Sequence, residues 1–393
     1  MTVTDSELAS LRAAIEATQP DFHADLRTLV GIDCGSYSKA GVDRVGAIVA
    51  DRFRELGATV SVEPNTDLGD TVVASWTGAG GPSALLVGHM DTVYPDGTVA
   101  ARPLTIEGTR AHGPGVTDMK AGLLAGLHAI RALQSLGPLP FSRLVFIANP
   151  DEEIGSPASR PVIRRYAESA EVAFVLECAR ANGDIVSSRK GIVDLALRLS
   201  GRAAHAGIEP EKGRNAIVEA AHKTLALTAL NGRWPGVTVN VGVIGGGTRP
   251  NVVPADAVVE VDVRAVTRAA LEAAEAEVVR ICANSTIADV SCTIADKGRH
   301  WPMEKSAGTA RLVDRAVDIA GRLGFELHDA ATGGASDANT TAGIGLPTLD
   351  GLGPIGGGDH SVEEYLELDS IVPRTTLLAA LLLSVAREPV QRA

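Results

Sequence analysis

The chain has 393 residues, of which 45% are hydrophobic, 21% charged and only 3% aromatic, and its formal net charge at pH 7 is −12. This length exceeds what a single hydrophobic core usually serves, so two domains are expected. The negative charge and the scarcity of aromatic rings argue against a protein that binds nucleic acid or an anionic membrane.

The N-terminal segment and the cysteines bear on the cellular compartment. Residues 1–20 contain acidic residues and no apolar run of the signal-peptide type. No stretch approaches the roughly 18 uninterrupted apolar residues that a membrane-spanning helix needs. A cytoplasmic location without membrane attachment is therefore expected. The cysteines show no CxxC pair or disulfide-framework spacing, so buried reduced thiols are expected at Cys34, Cys178, Cys282 and Cys292.

The first half of the chain alternates helical periodicity with short apolar runs. Residues 43–57 predict an amphipathic helix, and residues 119–135 predict a helix with small residues on one face. Apolar runs predict strands that end in HMD at 89–91, in PDEE at 150–153 and in LE at 176–177. Helices between apolar strands indicate an α/β sheet covered on both sides.

The pattern changes near residue 190. From there to residue 300, alternating strands and helical segments follow the order β-α-β-β-α-β, which is the split-βαβ or ferredoxin-like arrangement. Helical patterns return near 308–322 and 370–386. The sequence therefore predicts a discontinuous α/β domain, residues 1–188 and 301–393, into which a smaller α+β domain, residues 189–300, is inserted.

Two histidines and five carboxylates follow predicted strands or lie on glycine-rich loops. They are His89, Asp91, Asp118, Glu152, Glu153, Glu177 and His360. Because sites in α/β proteins cluster beyond the carboxyl ends of the strands, we expect these side chains to lie together. Imidazole and carboxylate donors in this ratio suit a pair of divalent ions such as zinc. A spare carboxylate beside them suits a general base acting on a metal-bound water.

Each motif taken alone also has an ordinary structural interpretation. His89 is as easily a hydrogen-bonded structural histidine as a ligand, and Asp118 could be a helix N-cap, a position that Asp often fills. Adjacent acids such as Glu152 and Glu153 are usually a solvated turn. In this context the alternative is that one acid binds metal while the other faces the attacking water. A lone His205 in an AHAG loop is most simply a surface residue.

Eight short motifs, in order along the chain, together resemble the M20 family of zinc peptidases. They are HMDTV (89–93), GPGVTDMKAG (113–122), NPDEEIGS (149–156), LE (176–177), HAG (205–207), NVVP (251–254), DVR (262–264) and GGDHS (357–361). Within the family, the sequence is most similar to bacterial glutamate carboxypeptidases of the G type. The resemblance implies a discontinuous dizinc exopeptidase domain with a mixed sheet flanked by helices. It also implies that the inserted domain mediates dimerisation, and hence a homodimer.

The resemblance further implies a role for each residue of the metal site. The metal ligands would be His89 and Glu177 for one zinc ion, Glu153 and His360 for the other, and Asp118 as the bridge. Cobalt or manganese also suits such a ligand set. Asp91 would orient His89, as carboxylates beside a ligating imidazole do. Glu152 would be the general base that activates a bridging water and returns the proton to the leaving amine.

Other positions match residues that contact the substrate in relatives. His205 would help to stabilise the oxyanion, and Arg299 would grip the substrate's α-carboxylate, a task that suits the bidentate geometry of arginine. The remaining matched positions are Asn251, Arg264, Gly333, Gly334 and Ser336. The implied reaction is hydrolysis of the amide bond to a C-terminal amino acid, in particular the glutamate of N-acyl or folate-like substrates.

The sequence departs from those relatives just after Glu177. They carry a lysine there that is thought to help read the side-chain carboxylate, and no residue of this chain aligns with it securely. Arg180, Arg189 or Lys190 could take its place. An N-acyl-amino-acid deacylase or a dipeptidase of the same family is therefore the alternative.

Two other classes of protein fit the sequence less well. A metal-free binding protein that kept only the fold would have no use for Glu152. A cysteine or serine hydrolase would need Cys178 or Ser336 as its nucleophile, and neither lies in a GxSxG elbow or a known cysteine-enzyme context.

Overall fold

Residues 3–392 of the chain are described by the structure, a computed structural model. They divide into two compact units. The first unit comprises the described residues up to Ser187, Lys305–Ala331, and the described residues from Ser336 onwards. The second comprises Ser188–Glu304 and the short segment Thr332–Ala335. The sequence places the two boundaries at 188/189 and 300/301, and it assigns Thr332–Ala335 to the larger domain.

Eleven α-helices lie in the described residues. They are α1 (Asp5–Ala17), α2 (Gln19–Val30), α3 (Lys39–Glu55), α4 (Thr98–Ala101), α5 (Ala121–Ser135), α6 (Arg160–Glu168), α7 (Ala216–Thr228), α8 (Arg268–Ala283), α9 (Ala307–Leu323), α10 (Asp337–Ala342) and α11 (Ile371–Arg387). The helices that the sequence predicts in the first unit correspond to α3, α5, α9 and α11. The two N-terminal helices α1 and α2 are not among those predicted.

The described residues also form eighteen strands, several of them very short. They are β1 (Thr59–Glu63), β2 (Thr71–Trp76), β3 (Ser83–His89), β4 (Thr105–Glu107), β5 (Arg110–His112), β6 (Arg143–Asn149), β7 (Val172–Val175), β8 (Ile185–Arg189), β9 (Gly191–Ser200), β10 (Ala204–His205), β11 (Thr238–Gly246), β12 (Val252–Val253), β13 (Asp256–Ala265), β14 (Ser291–His300), β15 (Asp329–Thr332), β16 (Thr348–Leu349), β17 (Gly356–Gly357) and β18 (Tyr365–Glu367).

The first unit is built on a six-stranded mixed sheet in the order β1-β2-β6-β3-β7-β16, flanked by helices. Strands β6, β3, β7 and β16 run parallel, whereas β1 and β2 are antiparallel to their neighbours. In the parallel register, His89 of β3 pairs with Asn149 of β6, and Val87 of β3 pairs with Val175 of β7. The carboxyl ends of the three strands therefore lie side by side. This confirms the predicted α/β fold.

Helix α5 shows why small residues recur in the segment 119–135. A Cβ atom on Gly122 would lie 1.9 Å from the carbonyl oxygen of Leu176, and one on Gly126 would lie 2.6 Å from both Leu176 and Phe146. Glycine at both positions therefore lets the helix pack directly against the sheet. The helix begins at Ala121, later than predicted, because the backbone is kinked and non-helical at Asp118 and Met119.

Helix α11 is the most deeply buried long helix of the first unit. The segment Leu368–Arg387 is long and apolar enough to cross a membrane, with a mean hydropathy of 1.5, but 78% of its apolar window is buried inside the protein. Such burial is typical of a core helix. It packs against α1, α5 and α9. The cytoplasmic location stays a prediction.

The second unit has the element order β9-α7-β11-β13-α8-β14, apart from the two-residue strands β10 and β12. Its sheet is antiparallel, in the order β11-β13-β9-β14. Alternate residues of β13 are buried against α7 and α8, so the period-two pattern of the sequence reflects one covered face. The predicted β-α-β-β-α-β order is confirmed, and the role of this unit in dimerisation stays a prediction.

All four cysteines are free thiols. Cys34, Cys178 and Cys282 are buried as predicted, whereas Cys292 on β14 is only half-buried. The Sγ atoms of Cys282 and Cys292 lie 2.6 Å apart. These two residues meet because the end of α8 packs on the start of β14.

Candidate metal centre

His89 ends strand β3 and is 1% exposed. Its Nε2 atom lies 3.0 Å from Oδ1 of Asp118 and 3.7 Å from Oε1 of Glu177. Its Nδ1 atom lies 3.0 Å from the backbone carbonyl oxygen of Asp91 and 3.4 Å from the carboxylate of the same residue. The ring is thus fixed on one side by residue 91 and directs Nε2 at two further carboxylates.

Asp118 does not cap helix α5, although the sequence allows that role. It lies in the kinked segment before the helix, with the non-helical φ of −112° and ψ of 94°, and Lys120 occupies the N-cap position without a side-chain cap. The carboxylate of Asp118 faces two imidazoles. Oδ1 meets Nε2 of His89 at 3.0 Å, and Oδ2 meets Nε2 of His360 at 3.2 Å.

Glu152 and Glu153 form a short 3₁₀ turn beyond strand β6. The carboxylate of Asp91 holds this turn, because it accepts hydrogen bonds from the backbone N–H groups of Glu152 and Glu153, both at 3.2 Å. The hydroxyl of Ser36 donates a further hydrogen bond to Asp91 at 2.6 Å. Asp91 therefore anchors the acidic turn as well as facing His89.

His360 reaches the cluster from a glycine-rich loop. Its Nε2 atom lies 3.0 Å from Oε2 of Glu153, and its side chain is 56% exposed. Its φ of 62° is in the left-handed region, which is uncommon for a residue other than glycine. The neighbouring Gly358 has a φ of 72°, and a Cβ atom there would lie 2.8 Å from the carbonyl oxygen of Glu363. The loop thus requires glycine where the chain turns toward the site.

The structure brings all seven predicted donors of the centre together. Ligand-capable atoms of His89, Glu152 and Glu177 lie within 4.8 Å of one another, as do those of His89, Asp118 and Glu153. His360 and Asp91 complete the set through the contacts given above. Glu152 is therefore as close to the cluster as the residues expected to bind metal. Distance alone does not distinguish its expected role as a general base from the role of a ligand.

The carboxyl groups of the cluster are held in a water-poor setting. Burial and the charge of Glu177 raise the pKa of Glu152 well above its usual value, and burial raises the pKa of Glu177. Burial likewise raises the pKa of Glu153 to about 7. Hydrogen bonds to Asp118 and Glu153 raise the pKa of His360 to about 11.

Five carboxylates facing two imidazoles leave an excess of negative charge in this small volume. Uncompensated charge of this kind is unfavourable away from water. Divalent cations neutralise it, and mixed nitrogen and oxygen donors of this type are those that zinc prefers. The donor set therefore fits a pair of metal ions.

Several residues that support the centre have no signal in the sequence. The buried carboxylate of Glu364 accepts hydrogen bonds from the backbone N–H groups of Gly115, Thr117 and Asp118 at 2.9 to 3.2 Å, and so it fixes the turn that carries Asp118. A second buried acid, Asp337, accepts a hydrogen bond from Ser156 at 2.6 Å, and burial raises its pKa to about 7. Nothing in the motifs around these acids distinguishes them from surface residues.

The residues predicted to bind substrate lie mostly in the second unit, where the structure brings them together in pairs. Ala206 directly follows His205, and its backbone N–H group donates to the carbonyl oxygen of Asn251 at 3.0 Å. The guanidinium of Arg264 donates to the carbonyl oxygen of Gly333 at 3.0 Å, and that of Arg189 donates to Gly334 at 3.2 Å.

Two other predicted substrate residues have protein partners. Arg299 on β14 pairs with Glu275 of α8 and is 27% exposed, and its guanidinium lies 5.0 Å from the ring of Trp301. Ser336, in the first unit, is 4% exposed. Its hydroxyl caps α10 and donates to the buried Asp350 at 2.7 Å, so it shapes the turn before that helix.

Strand ends and adjoining loops of the first unit gather two imidazoles and five carboxylates, an arrangement suited to a metal-dependent hydrolase. The sequence profile described as Peptidase family M20/M25/M40 matches residues 85–384. Carboxypeptidase G2 from Pseudomonas sp. (strain RS-16) is 33% identical over 375 residues, which cover 93% of this chain and 89% of the relative. The chain therefore belongs to peptidase family M20/M25/M40, whose metallo-exopeptidase and amidohydrolase activities define its class.

A further relative is named for a different amide substrate. Acetylornithine deacetylase from Myxococcus xanthus is 30% identical over 258 residues, which cover 60% of this chain and 65% of the relative. Among solved structures, the aminopeptidase PepT from Bacillus cereus ATCC 10987 superposes with a TM-score of 0.76 at 24% identity, over 94% of this chain and 99% of that one. This likeness shows the shared fold.

Proposed function

We propose that this protein is a dizinc exopeptidase that removes the C-terminal amino acid, glutamate above all, from N-acyl or folate-like substrates. The observation that carries the proposal is the position of Asp118, whose two carboxylate oxygens face Nε2 of His89 and Nε2 of His360 at 3.0 and 3.2 Å. A single carboxylate placed between two imidazoles is suited to bridge two cations.

The remaining ligands follow from the same contacts. One ion would be held by His89 and Glu177, and the other by Glu153 and His360, with Asp118 shared. Zinc bound there supplies Lewis-acid polarisation of the scissile carbonyl and lowers the pKa of water. Cobalt and manganese are the alternative ions, because the same donors bind them.

Glu152 is proposed as the general base. Of two adjacent acids on the same turn, Glu153 contacts His360 at 3.0 Å and is assigned as the ligand, and proton transfer is assigned to Glu152. Glu152 would take a proton from the attacking water and pass it to the leaving amine. Burial and the charge of Glu177 raise its pKa, which favours acceptance of a proton from water.

Residues of the second unit are proposed to bind the departing amino acid. Arg299 and Arg264 would bind carboxylate groups, and Asn251, Gly333 and Gly334 would line the same pocket. Ser336 would support that pocket by fixing the turn beside it. His205 would donate to the oxyanion. A carboxylate-bearing product explains the choice of arginine, whose paired N–H groups match a carboxylate.

An N-acyl-amino-acid deacylase or a dipeptidase is the alternative, and one observation favours it. The segment after Glu177 lacks an aligned lysine, and Arg189, which could replace it, is 8% exposed and donates to Gly334. The relatives named as deacetylases and desuccinylases share the same family. The leaving amino acid therefore has to be determined by experiment.

The test is a hydrolysis panel on the zinc-loaded protein, with N-acyl amino acids and dipeptides that differ in the C-terminal residue. The highest kcat/KM for glutamate or aspartate supports the carboxypeptidase. A preference for neutral residues supports the deacylase or dipeptidase instead. Full activity after removal of metal by a chelator would contradict every metal-dependent form of the proposal.

We also propose that two copies associate through the second unit. Strand β11 is at an edge of its sheet and exposes Val243 and Ile244, and helix α7 exposes Leu225, which is 72% exposed. An unpaired edge with apolar side chains is a natural site for a second copy. Light scattering of the parent protein should give twice the mass of one chain. The double variant with Val243→Lys and Ile244→Lys should give the mass of a single chain. A monomeric parent protein would contradict this proposal.

A further inference from the structure

Two of the four cysteines form a pair in the second unit. Cys282 and Cys292 lie ten residues apart in the chain, and their Sγ atoms lie 2.6 Å apart in space. Cys282 is on the last turn of α8 and is buried, and Cys292 is the second residue of β14 and is half-buried. Cys34 and Cys178, in contrast, are buried in the first unit. The two thiols of the second unit are therefore in direct contact.

The segment between the two cysteines, residues 284–290, is fixed by a buried ion pair of helix α7. The charged atoms of Glu219 and Lys223 lie 2.9 Å apart, and both side chains are buried. The carboxylate of Glu219 accepts hydrogen bonds from the backbone N–H groups of Thr286 and Ile287 at 2.9 and 2.7 Å. The ammonium group of Lys223 donates to a backbone carbonyl oxygen at the end of α8 at 2.6 Å. The ion pair thus ties both the segment and the end of α8 to α7.

The other end of the segment is held by the sheet. Strand β14 pairs with β9 along its length, and Cys292 lies opposite Leu199 in that register. The hydroxyl of Ser285 donates to the carbonyl oxygen of Val290 at 2.6 Å and so closes the turn before the strand. Because the fold already orders both cysteines, joining their sulfur atoms costs little further conformational entropy.

Strand β14 also leaves Cys292 open to small reagents. It is the outer strand of its sheet, at the edge opposite β11. Association of two copies through β11 therefore does not pair a second copy with the strand of Cys292. The half-buried Cys292 is the thiol that a reagent in solution reaches more readily, and the more deeply buried Cys282 is placed to react with it.

We infer that Cys282 and Cys292 are a site of reversible oxidation, at which a small disulfide such as oxidised glutathione converts the two thiols into one disulfide bond between α8 and β14. In the first step, the thiolate of Cys292 attacks one sulfur of the small disulfide, and one small thiol leaves. In the second, Cys282 attacks the sulfur of Cys292 and releases the second small thiol. The protein loses two electrons and two protons, and the small disulfide takes them up as two thiols.

The contact between the sulfur atoms favours the internal bond over separate mixed disulfides. The second step is intramolecular, so the effective concentration of Cys282 at Cys292 is high. Burial and the hydrogen bond with Cys282 raise the pKa of the Cys292 thiol to about 12, and its reactive thiolate is therefore scarce at neutral pH. We expect the reaction to be slow, while its equilibrium is governed by the contact.

The first experiment maps the thiols of the zinc-loaded parent protein, so it does not depend on the folding of any variant. The protein is incubated with oxidised glutathione until its composition is constant. It is then unfolded in N-ethylmaleimide and digested for mass spectrometry. We expect one peptide pair joined through Cys282 and Cys292 and lighter by two hydrogen atoms. Cys34 and Cys178 should carry the maleimide and serve as internal controls.

Three results of the mapping would overturn the inference. In the first, Cys282 and Cys292 both carry the maleimide after the incubation. In the second, each carries its own glutathione and the two are not joined. In the third, the joined pair forms but does not return to two thiols when reduced glutathione replaces the oxidised form.

The second experiment measures the effect of the bond on stability. A disulfide between positions ten residues apart restricts the unfolded chain, so oxidation should raise the urea midpoint of unfolding by about 0.5 to 1 M. Cys292→Ser should abolish this difference between oxidised and reduced protein, and the matched control Cys34→Ser should keep it. An equal midpoint for the oxidised and the reduced parent protein would contradict a bond that joins α8 to β14 in the folded state.

Discussion

Oδ1 of Asp118 lies 3.0 Å from Nε2 of His89. The other oxygen of the same carboxylate faces a second imidazole, that of His360, at 3.2 Å. Although burial raises the pKa of Asp118, hydrogen bonds from both histidines hold it below its usual value, so the carboxylate stays ionised. This arrangement joins a strand end and a distant loop through one side chain.

Replacing Asp118 by Asn should lower the metal content at both positions, because the charged bridge is lost while the size of the side chain is kept. We expect the number of zinc ions bound per chain to fall from two toward zero. Mass spectrometry of the metal after dialysis measures this number. The exposed Asp67→Asn variant should keep two ions. An Asp118→Asn protein with two bound ions would contradict the bridging role.

Replacing Asp91 by Asn should weaken zinc binding although Asp91 is not a proposed ligand. Its carboxylate orients His89 and holds the turn of Glu152 and Glu153, and the loss of such a supporting carboxylate typically costs about 10- to 100-fold in metal affinity. Competition with a chromophoric chelator measures the change. Ser36→Ala removes only one hydrogen bond to Asp91 and should have a smaller effect in the same direction. Unchanged affinity in Asp91→Asn would rule out this role.

His128 should make the stability of the protein depend on pH. The ring is 6% exposed and its Nδ1 atom lies 2.8 Å from the hydroxyl of Thr18. Burial, together with the charge of Arg131, lowers its pKa from 6.5 to about 4. Between these two values the unfolded chain binds a proton that the folded protein does not. The free energy of unfolding should therefore fall as the pH drops, by at most about 1.4 kcal/mol per pH unit.

Urea unfolding of the parent protein and of His128→Gln between pH 4.5 and 7.5 checks this expectation. Glutamine does not titrate, so the variant should show a shallower dependence in this window. The exposed His222→Gln variant is the control and should retain the slope of the parent protein. Identical slopes in the parent protein and in His128→Gln would show that His128 titrates normally.

The sequence predicts the strand-borne part of the site because parallel strands end at one edge of a sheet. His89, Glu152, Glu153 and Glu177 each follow an apolar run, and the register of β3 with β6 and β7 brings them together. The apolar run before each residue and the parallel arrangement of the strands are sufficient to predict that these residues lie together. The β-α-β-β-α-β order of the second unit was predictable because its antiparallel strands, such as β13, alternate buried and partly exposed residues.

Residues that act across long sequence separations were not predictable in this way. Glu364 binds the turn of Asp118 from 246 residues away, and Ser36 reaches Asp91 from 55 residues away. Neither stands in a motif whose spacing indicates its partner.

The most direct test of the account is the zinc content and the turnover of Glu152→Gln beside those of the parent protein. Glu152 lies within 4.8 Å of His89 and Glu177, so distance alone does not separate a base from a ligand. We predict that the variant keeps two zinc ions and loses at least about 10²- to 10⁴-fold in kcat, the usual contribution of a general base. Loss of zinc would make Glu152 a ligand, and retained turnover would contradict the proposed mechanism.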